Sequence, residues 1–161
     1  MVASLNSSRP VLDQDARSGQ SRIATLIAST TITQESHDSK TLLMGAAGAA
    51  LTFTLPAAVG TGAKFKFMVS VVNTSNYVIQ AANSTDVMAG GVIFNTDDAS
   101  NAVQGLETAA ASDTITLNGT TTGGVNKGDW VELQDIASGV WSVAGLLTGS
   151  GTEATPFSAT V

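Results

Sequence analysis

The chain has 161 residues, which is enough for one domain whose hydrophobic core needs neither a metal nor a disulfide. It contains no cysteine and one histidine, so disulfide frameworks, thiolate metal sites, cysteine nucleophiles and multi-histidine metal sites are excluded. Only 12% of its residues are charged, about half the share usual in soluble proteins. The composition therefore predicts a protein that is not an enzyme and that holds no catalytic metal or cofactor.

The net charge of −6 is unevenly distributed along the chain. The three arginines, Arg9, Arg17 and Arg22, all lie in the first 22 residues, whereas residues 86–161 contain nine acidic residues and one lysine. An acidic body repels phosphate backbones, so we expect no nucleic-acid partner. A basic segment beside an acidic body is suited to docking on an acidic neighbour, including another copy of the chain. Equally, the three arginines can serve only to keep the segment solvated.

The sequence predicts no targeting or membrane-spanning segment, and hence no membrane partner. The first ten residues, MVASLNSSRP, lack the apolar core of a secretory signal. Residues 41–63 carry no charge, but Pro56 and the alternation from Leu51 to Leu55 favour two strands and a turn over a spanning helix.

The first half of the chain predicts a polar arm followed by strands. Residues 1–22 lack periodicity, and we interpret them as an extended N-terminal arm. From Ile23 onward apolar and polar residues alternate with a period of two, which is typical of half-buried strands. In chain order, the candidate strands are residues 23–27, 30–33, 42–44, 51–55, 64–72 and 77–80, with a polar turn before Leu42 that includes residues 37–40.

The second half continues the alternation and ends in a segment rich in Gly, Ser and Thr. Trp130 and Trp141 belong to one predicted hairpin, so we expect them to pack together. The candidate strands here are residues 92–94, 113–117, 129–134 and 140–143, with a surface loop at 95–112 and a flexible or interface tail at 148–161.

Short strands separated by frequent turns predict an all-β fold, with one β domain over residues 23–147. Nine or ten such strands are typical of a single antiparallel β-sandwich or barrel. The apolar faces of the strands predict five core residues: Phe53, Phe65, Phe67, Ile115 and Leu133.

Four features that resemble functional motifs also have simpler structural interpretations. His37 lies between Glu35 and Asp38, where an acid can tune a general base, but a polar turn predicts only solvated side chains. Asp97 and Asp98 offer oxygen ligands for Ca²⁺, yet the EF-hand spacing is absent and a polar loop is the favoured interpretation.

The other two features are a glycine-rich stretch and the two tryptophans. The glycines between Gly119 and Gly128 do not match a phosphate-binding loop, because Lys127 is followed by glycine and a predicted strand. For Trp130 and Trp141 we favour hairpin or core packing over a platform that stacks on sugars.

Two stretches together resemble the head decoration (cement) proteins of tailed bacteriophages, and related β-modules of phage tail fibres and spikes. The first covers residues 39–56 and continues at 62–69; the second covers 127–135 and closes at 139–145. The resemblance extends over about residues 25–147. It implies an all-β domain of the jelly-roll or β-tulip kind, found on the outer surface of the capsid. It further implies a homotrimer that binds the major capsid protein and bridges neighbouring capsid subunits.

The leading hypothesis is therefore a structural virion protein that stabilises a phage capsid, with the arm as its clamp. Arg9, Arg17 and Arg22 are the candidate capsid contacts. The alternative is a tail-fibre or spike module that binds a glycan on the host surface. A third hypothesis, an enzyme such as a glycan hydrolase, has no recognisable motif to support it.

Overall fold

The computed structural model describes residues 21–97 and 102–161. The predicted arm at residues 1–22 lies almost entirely outside the described residues. Within them the chain forms twelve strands and one short helical turn, α1 (Gln34–His37), in the segment that the sequence predicts as a polar turn. The strands are β1 (Ile23–Leu26), β2 (Thr30–Thr31), β3 (Lys40–Met44), β4 (Leu51–Thr54), β5 (Lys64–Val69), β6 (Tyr77–Gln80), β7 (Val87–Asn95), β8 (Val103–Glu107), β9 (Thr114–Leu117), β10 (Trp130–Ala137), β11 (Val140–Thr148) and β12 (Phe157–Ser158).

These strands form two mixed sheets. The seven-stranded sheet has the order β1-β3-β5-β10-β11-β7-β8, and the five-stranded sheet has the order β12-β9-β6-β4-β2. Half of the neighbouring pairs are parallel: β1–β3, β3–β5 and β7–β11 in the larger sheet, and β2–β4 and β4–β6 in the smaller. The predicted all-β character is confirmed, but the purely antiparallel arrangement is wrong.

The parallel pairs arise because the first six strands alternate between the two sheets. The odd-numbered strands β1, β3 and β5 belong to the larger sheet, and the even-numbered β2, β4 and β6 belong to the smaller. A connection to the other sheet followed by a return brings the chain back in its original direction. Two strands that the chain adds to the same sheet in this way are therefore parallel to each other. Each strand nevertheless has the period-two pattern that also characterises hairpins.

One hydrophobic core joins the two sheets. The rings of Phe53 on β4 and Phe67 on β5 stack with their centroids 5.7 Å apart, which links the five-stranded sheet to the seven-stranded one. All five predicted core residues are confirmed, since each has essentially no exposed surface. Alternation on a half-buried strand is the physical reason, because successive side chains point to opposite faces.

The two tryptophans do not pack together, so that expectation is wrong. β10 and β11 do pair, but Trp130 lies opposite Leu146 and Trp141 lies opposite Asp135. Trp141 is fully buried and contacts Phe65 in the core with a centroid distance of 5.7 Å. Trp130 points to the other face of the sheet, because it is adjacent to the buried Val131.

Two segments predicted to lack strands contain them. β8 lies in the predicted loop at residues 95–112 and pairs with β7. β12 lies in the predicted tail at 148–161 and pairs with β9, where Phe157 is buried. β8 has a mostly exposed pattern, so its sequence carries no apolar alternation by which to recognise it.

Candidate interaction surface

A row of five apolar side chains crosses the outer face of the seven-stranded sheet. Their neighbours along the chain include buried core residues, so the five point away from the core. Ile93 is 55% exposed and Leu146 is 38% exposed, while the other three are partly buried. We call this the apolar row. In register across the sheet it consists of Leu43, Met68, Trp130, Leu146 and Ile93.

The apolar row leads into a groove of about 980 Å³ between the β7–β8 hairpin and β10–β11. Small residues, including Gly91 and Ala144, line it together with Trp130 and Leu106. A Cβ at Gly91 would lie 2.6 Å from the backbone oxygen of Leu106, so glycine is needed for β8 to approach β7 this closely. The resulting surface is concave and apolar, which suits contact with another macromolecule.

Three lysines line a depression at one corner of the same sheet. We call Lys40, Lys64 and Lys66 the basic corner; they surround a depression of about 280 Å³ together with Glu132. The Nζ atom of Lys66 lies 4.2 Å from the ring centroid of Trp130, a cation–π contact. Lys64 Nζ is 3.8 Å from Glu132 Oε1, but both side chains are well exposed and such a pair contributes little to stability.

The surface of the body is less acidic than the sequence predicts, because four of its aspartates are buried. Their carboxylates accept hydrogen bonds from backbone N–H groups of loops. Asp135 accepts hydrogen bonds from the N–H groups of residues 59–61, and Asp86 accepts one from Ala58. Asp113 accepts hydrogen bonds from the N–H groups of the last two residues of the chain. Asp129 is the fourth, and it accepts hydrogen bonds from Gly124, Asn126 and Thr148. These carboxylates connect loops to the sheets rather than facing a partner.

Two of these aspartates have shifted pKa values, in opposite directions. Burial raises the pKa of Asp129, and its hydrogen bonds from Thr148, Asn126 and Gly124 offset only part of that rise. Burial also acts to raise the pKa of Asp135, but hydrogen bonds from Thr61, Gly60 and Val59 outweigh it, so the pKa of Asp135 is lowered overall. Both shifts follow from hydrogen bonding within the fold.

Comparison of the chain with protein-family models, curated proteins and solved structures found no match. Among residues 21–97 and 102–161, no three or more His, Cys, Asp or Glu side chains are grouped so that they could hold a metal ion. No helix in the same residues is long and apolar enough to cross a membrane.

The structure places few of the candidate residues from the sequence near the apolar row. Arg9, Arg17 and Asp98 lie outside the described residues. Arg22 lies just before β1, where its carbonyl oxygen accepts a hydrogen bond from the Thr41 N–H at 2.8 Å.

The remaining candidates have local contacts. His37 ends α1, and its Nδ1 atom lies 3.1 Å from the backbone nitrogen of Thr33. Asp97 is exposed and accepts a hydrogen bond from the Gly151 N–H at 3.1 Å. Neither residue lies at the groove, and their contacts are those of a helical turn and a loop.

Sequence reasoning missed the apolar row because its members are distant in the chain. The alternation from Lys64 to Val71 marks Met68 as outward-facing, and the same parity places Trp130 opposite Val131. Nothing local shows that Met68 and Trp130 are neighbours, because their pairing depends on the register between β5 and β10.

Proposed function

We propose that this chain is a structural protein of a phage virion that decorates the capsid and bridges neighbouring capsid subunits. The observation that carries the proposal is the apolar row with its groove, a continuous contact surface on a small β domain. The sequence resemblance to decoration proteins supports the same role. On this proposal the protein is not an enzyme, and its partners are the major capsid protein and further copies of itself, as a homotrimer on the outer surface of the head.

The finer architecture belongs to the same proposal. Two sheets that share one core would form a β-sandwich, with the seven-stranded sheet turning its apolar row toward the capsid. The arm would leave the sandwich at the β1 edge, next to the basic corner, and carry Arg9 and Arg17 to an acidic surface of the capsid. Many weak contacts of this kind add up when many copies bind one lattice.

Trp130 favours a second candidate function, a tail-fibre or spike module that binds a host glycan. It is a partly exposed aromatic ring at a groove, which is a suitable surface for stacking on a sugar. However, the Lys66 ammonium group lies over this ring at 4.2 Å and would have to move for a sugar to stack there. Capsid decoration needs no such rearrangement.

Virions of the phage that encodes the chain provide the first test. Cryo-electron microscopy with quantitative mass spectrometry should find the protein distributed over the head in high copy number. A few copies confined to the tail would contradict capsid decoration and support the glycan-binding alternative.

A matched pair of variants tests the contact surface. Ile93→Lys places a charge in the apolar row, on a side chain that is 55% exposed. The control, Ile136→Lys, changes a side chain outside the row that is 52% exposed. We expect Ile93→Lys to abolish binding to capsids that lack the protein, with its melting temperature retained, and Ile136→Lys to bind normally. Equal binding by the two variants would show that the apolar row is not the contact.

A further inference from the structure

Within residues 21–97 and 102–161, no strand pairs with the outer side of either edge of the seven-stranded sheet. β1 and β8 are its outermost strands, and most of their side chains are exposed. Proline and lysine, two residues that protect sheet edges in natural proteins, do not occur in Ile23–Leu26 or Val103–Glu107. An edge strand with unpaired backbone groups is a template for pairing with another strand.

The backbone of β1 turns alternate residues toward the open edge. The carbonyl oxygens of Arg22 and Leu26 accept hydrogen bonds from Thr41 and Gly45 on the β3 side. Because bonding alternates along a strand, the backbone groups of Ile23, Thr25 and Ile27 point away from β3. The hydroxyl of Ser21 binds both backbone groups of Ile23, so Thr25 and Ile27 are the residues positioned to pair outward.

The backbone of β8 has the corresponding arrangement at the opposite edge. The Thr108 N–H donates to Gly90 O, and the Thr96 N–H donates to Ala102 O. The backbone N–H and C=O groups of the even-numbered residues between them therefore face β7, and those of the odd-numbered residues point outward. The outward residues are Val103, Gly105 and Glu107.

The registers of the sheet place these two sets of residues at matching levels. Thr25 and Gly105 are the two ends of the row that contains Leu43, Met68, Trp130, Leu146 and Ile93. By the same registers, Ile23 lies at the level of Glu107, and continuing the alternation puts Ile27 at the level of Val103. β1 and β8 run in opposite directions, so a second copy placed beside the first in the same plane would set them antiparallel.

Side chains at the two edges are complementary as well. Ile27 and Val103 are 70% and 64% exposed and would meet on the outer face. At the other end of the contact, Ile23 would lie opposite Glu107 on the same face. Two exposed apolar side chains that meet across the edges favour β1 against β8 in this orientation.

We propose that copies of this chain associate head to tail, with β8 of one copy forming an antiparallel pair with β1 of the next. Thr25 of one copy lies opposite Gly105 of its neighbour. The contact joins two different edges, so repetition closes into a ring or extends into a chain of subunits. The inference rests on the self-association in the proposed function and specifies its surface, and it requires no particular number of subunits.

Disulfide trapping tests the contact, since the natural chain has no cysteine. Hydrogen-bonded antiparallel partners have Cα atoms about 5.5 Å apart, within the range that a disulfide spans. Full-length Thr25→Cys and Gly105→Cys variants, mixed and oxidised without capsids, should form a covalent dimer on a non-reducing gel. The double variant, with both changes in one chain, should form a ladder of covalent oligomers. A Cβ at Gly105 meets no atom within 4 Å, so this substitution leaves the fold intact.

Controls distinguish the proposed pairing from chance collisions and from other contacts. Thr25→Cys mixed with Lys127→Cys should give no more dimer than random collision, because Lys127 lies in an exposed turn away from both edges. Equal cross-linking in the two mixtures would overturn the proposal. Dimers of Thr25→Cys alone, at the yield of the mixture, would point to a symmetric β1–β1 contact and also overturn it.

Charges introduced at the Ile27–Val103 pair provide a second readout in solution. Ile27→Glu and Val103→Lys should each lower the average mass measured by light scattering, and the double variant should restore it. Lack of restoration with both single variants folded would contradict the Ile27–Val103 juxtaposition. Capsids are absent from all these measurements, so edge pairing can fail while capsid decoration holds, and the reverse.

Discussion

Individual buried residues explain how a chain with so little charge holds its loops in place. Asp135 is 2% exposed, and its carboxylate accepts the N–H groups of Val59, Gly60 and Thr61 and the hydroxyl of Thr61. A single ionised carboxylate thus provides the hydrogen-bond acceptors for the donors of a whole turn. Replacing it leaves several buried donors without a partner, which is more costly than losing one exposed hydrogen bond.

Asp135→Asn should lower stability in a pH-dependent manner. The pKa of Asp135 is lowered in the folded state, so its stabilising contribution is present above the ordinary value of 3.8 and is lost as the pH falls through the folded-state pKa. The variant should therefore be less stable than the parent at about pH 7, and the difference in unfolding free energy should narrow as the pH falls below 3.8. Urea denaturation across this pH range measures the difference.

Asp129→Asn is the matched control for that measurement. The pKa of Asp129 is raised in the folded state, chiefly by burial, so the contribution of this group is present below 3.8 and is lost as the pH rises through its folded-state pKa. The difference in unfolding free energy between the parent and Asp129→Asn should then widen as the pH falls. The same pH trend for both variants would contradict the assigned shifts.

Phe67→Ala should destabilise the fold by about 3–5 kcal/mol, the range for truncating a buried aromatic side chain. Phe67 has no exposed surface and stacks on Phe53 of the other sheet, so its loss leaves a cavity between the sheets. Thermal and chemical denaturation measure the change. Met68→Ala, on the outer face of the same strand, should cost much less; equal losses would show that the two faces are not distinct.

At the level of elements, the β7–β8 hairpin depends on the absence of a side chain. A Cβ at Gly91 would lie 2.6 Å from Leu106 O, and that atom belongs to the backbone of the neighbouring strand. β8 would have to move away, and its pairing with β7 would weaken. Gly105, in the same hairpin, has open space where a Cβ would be.

Gly91→Ala and Gly105→Ala therefore form a matched pair. The first should lose about 1–3 kcal/mol, the usual cost of overpacking, and should narrow the groove. The second should be neutral or slightly stabilising, since alanine restricts the unfolded chain more than glycine does. Chemical denaturation of the two variants side by side gives the comparison. A smaller loss for Gly91→Ala than for Gly105→Ala would show that the hairpin is not closely packed at Gly91.

For the whole molecule, the proposed roles of body and arm can be separated by deletion. The Arg22 carbonyl accepts a hydrogen bond from Thr41, so a deletion that leaves β1 intact should remove residues 2–20 and stop there. The truncated chain should keep the circular dichroism and melting temperature of the full chain, yet bind capsids that lack the protein more weakly. Binding at full affinity would show that the apolar row suffices without Arg9 and Arg17.

The all-β character and the core were predictable because they depend on neighbours in the chain. Phe65 and Phe67 are two residues apart, and a period of two puts both on one face wherever their strand lies. The polar turn around His37 is equally local. By contrast, aspartate is usually exposed, so nothing in the sequence indicates that Asp113 and Asp135 are buried acceptors.

The sequence by itself determined which residues alternate and where the chain turns, and hence an all-β domain with Phe53 and Phe67 inside. Only the tertiary structure decided that β1 to β6 alternate between two sheets, that β8 and β12 are strands, and that Met68, Trp130 and Leu146 form one row. Local alternation sets the face of a side chain, whereas the identity of its neighbour is set by register between strands distant in sequence. The candidate interaction surface consists of such long-range neighbours, and for that physical reason it emerges only from the folded chain.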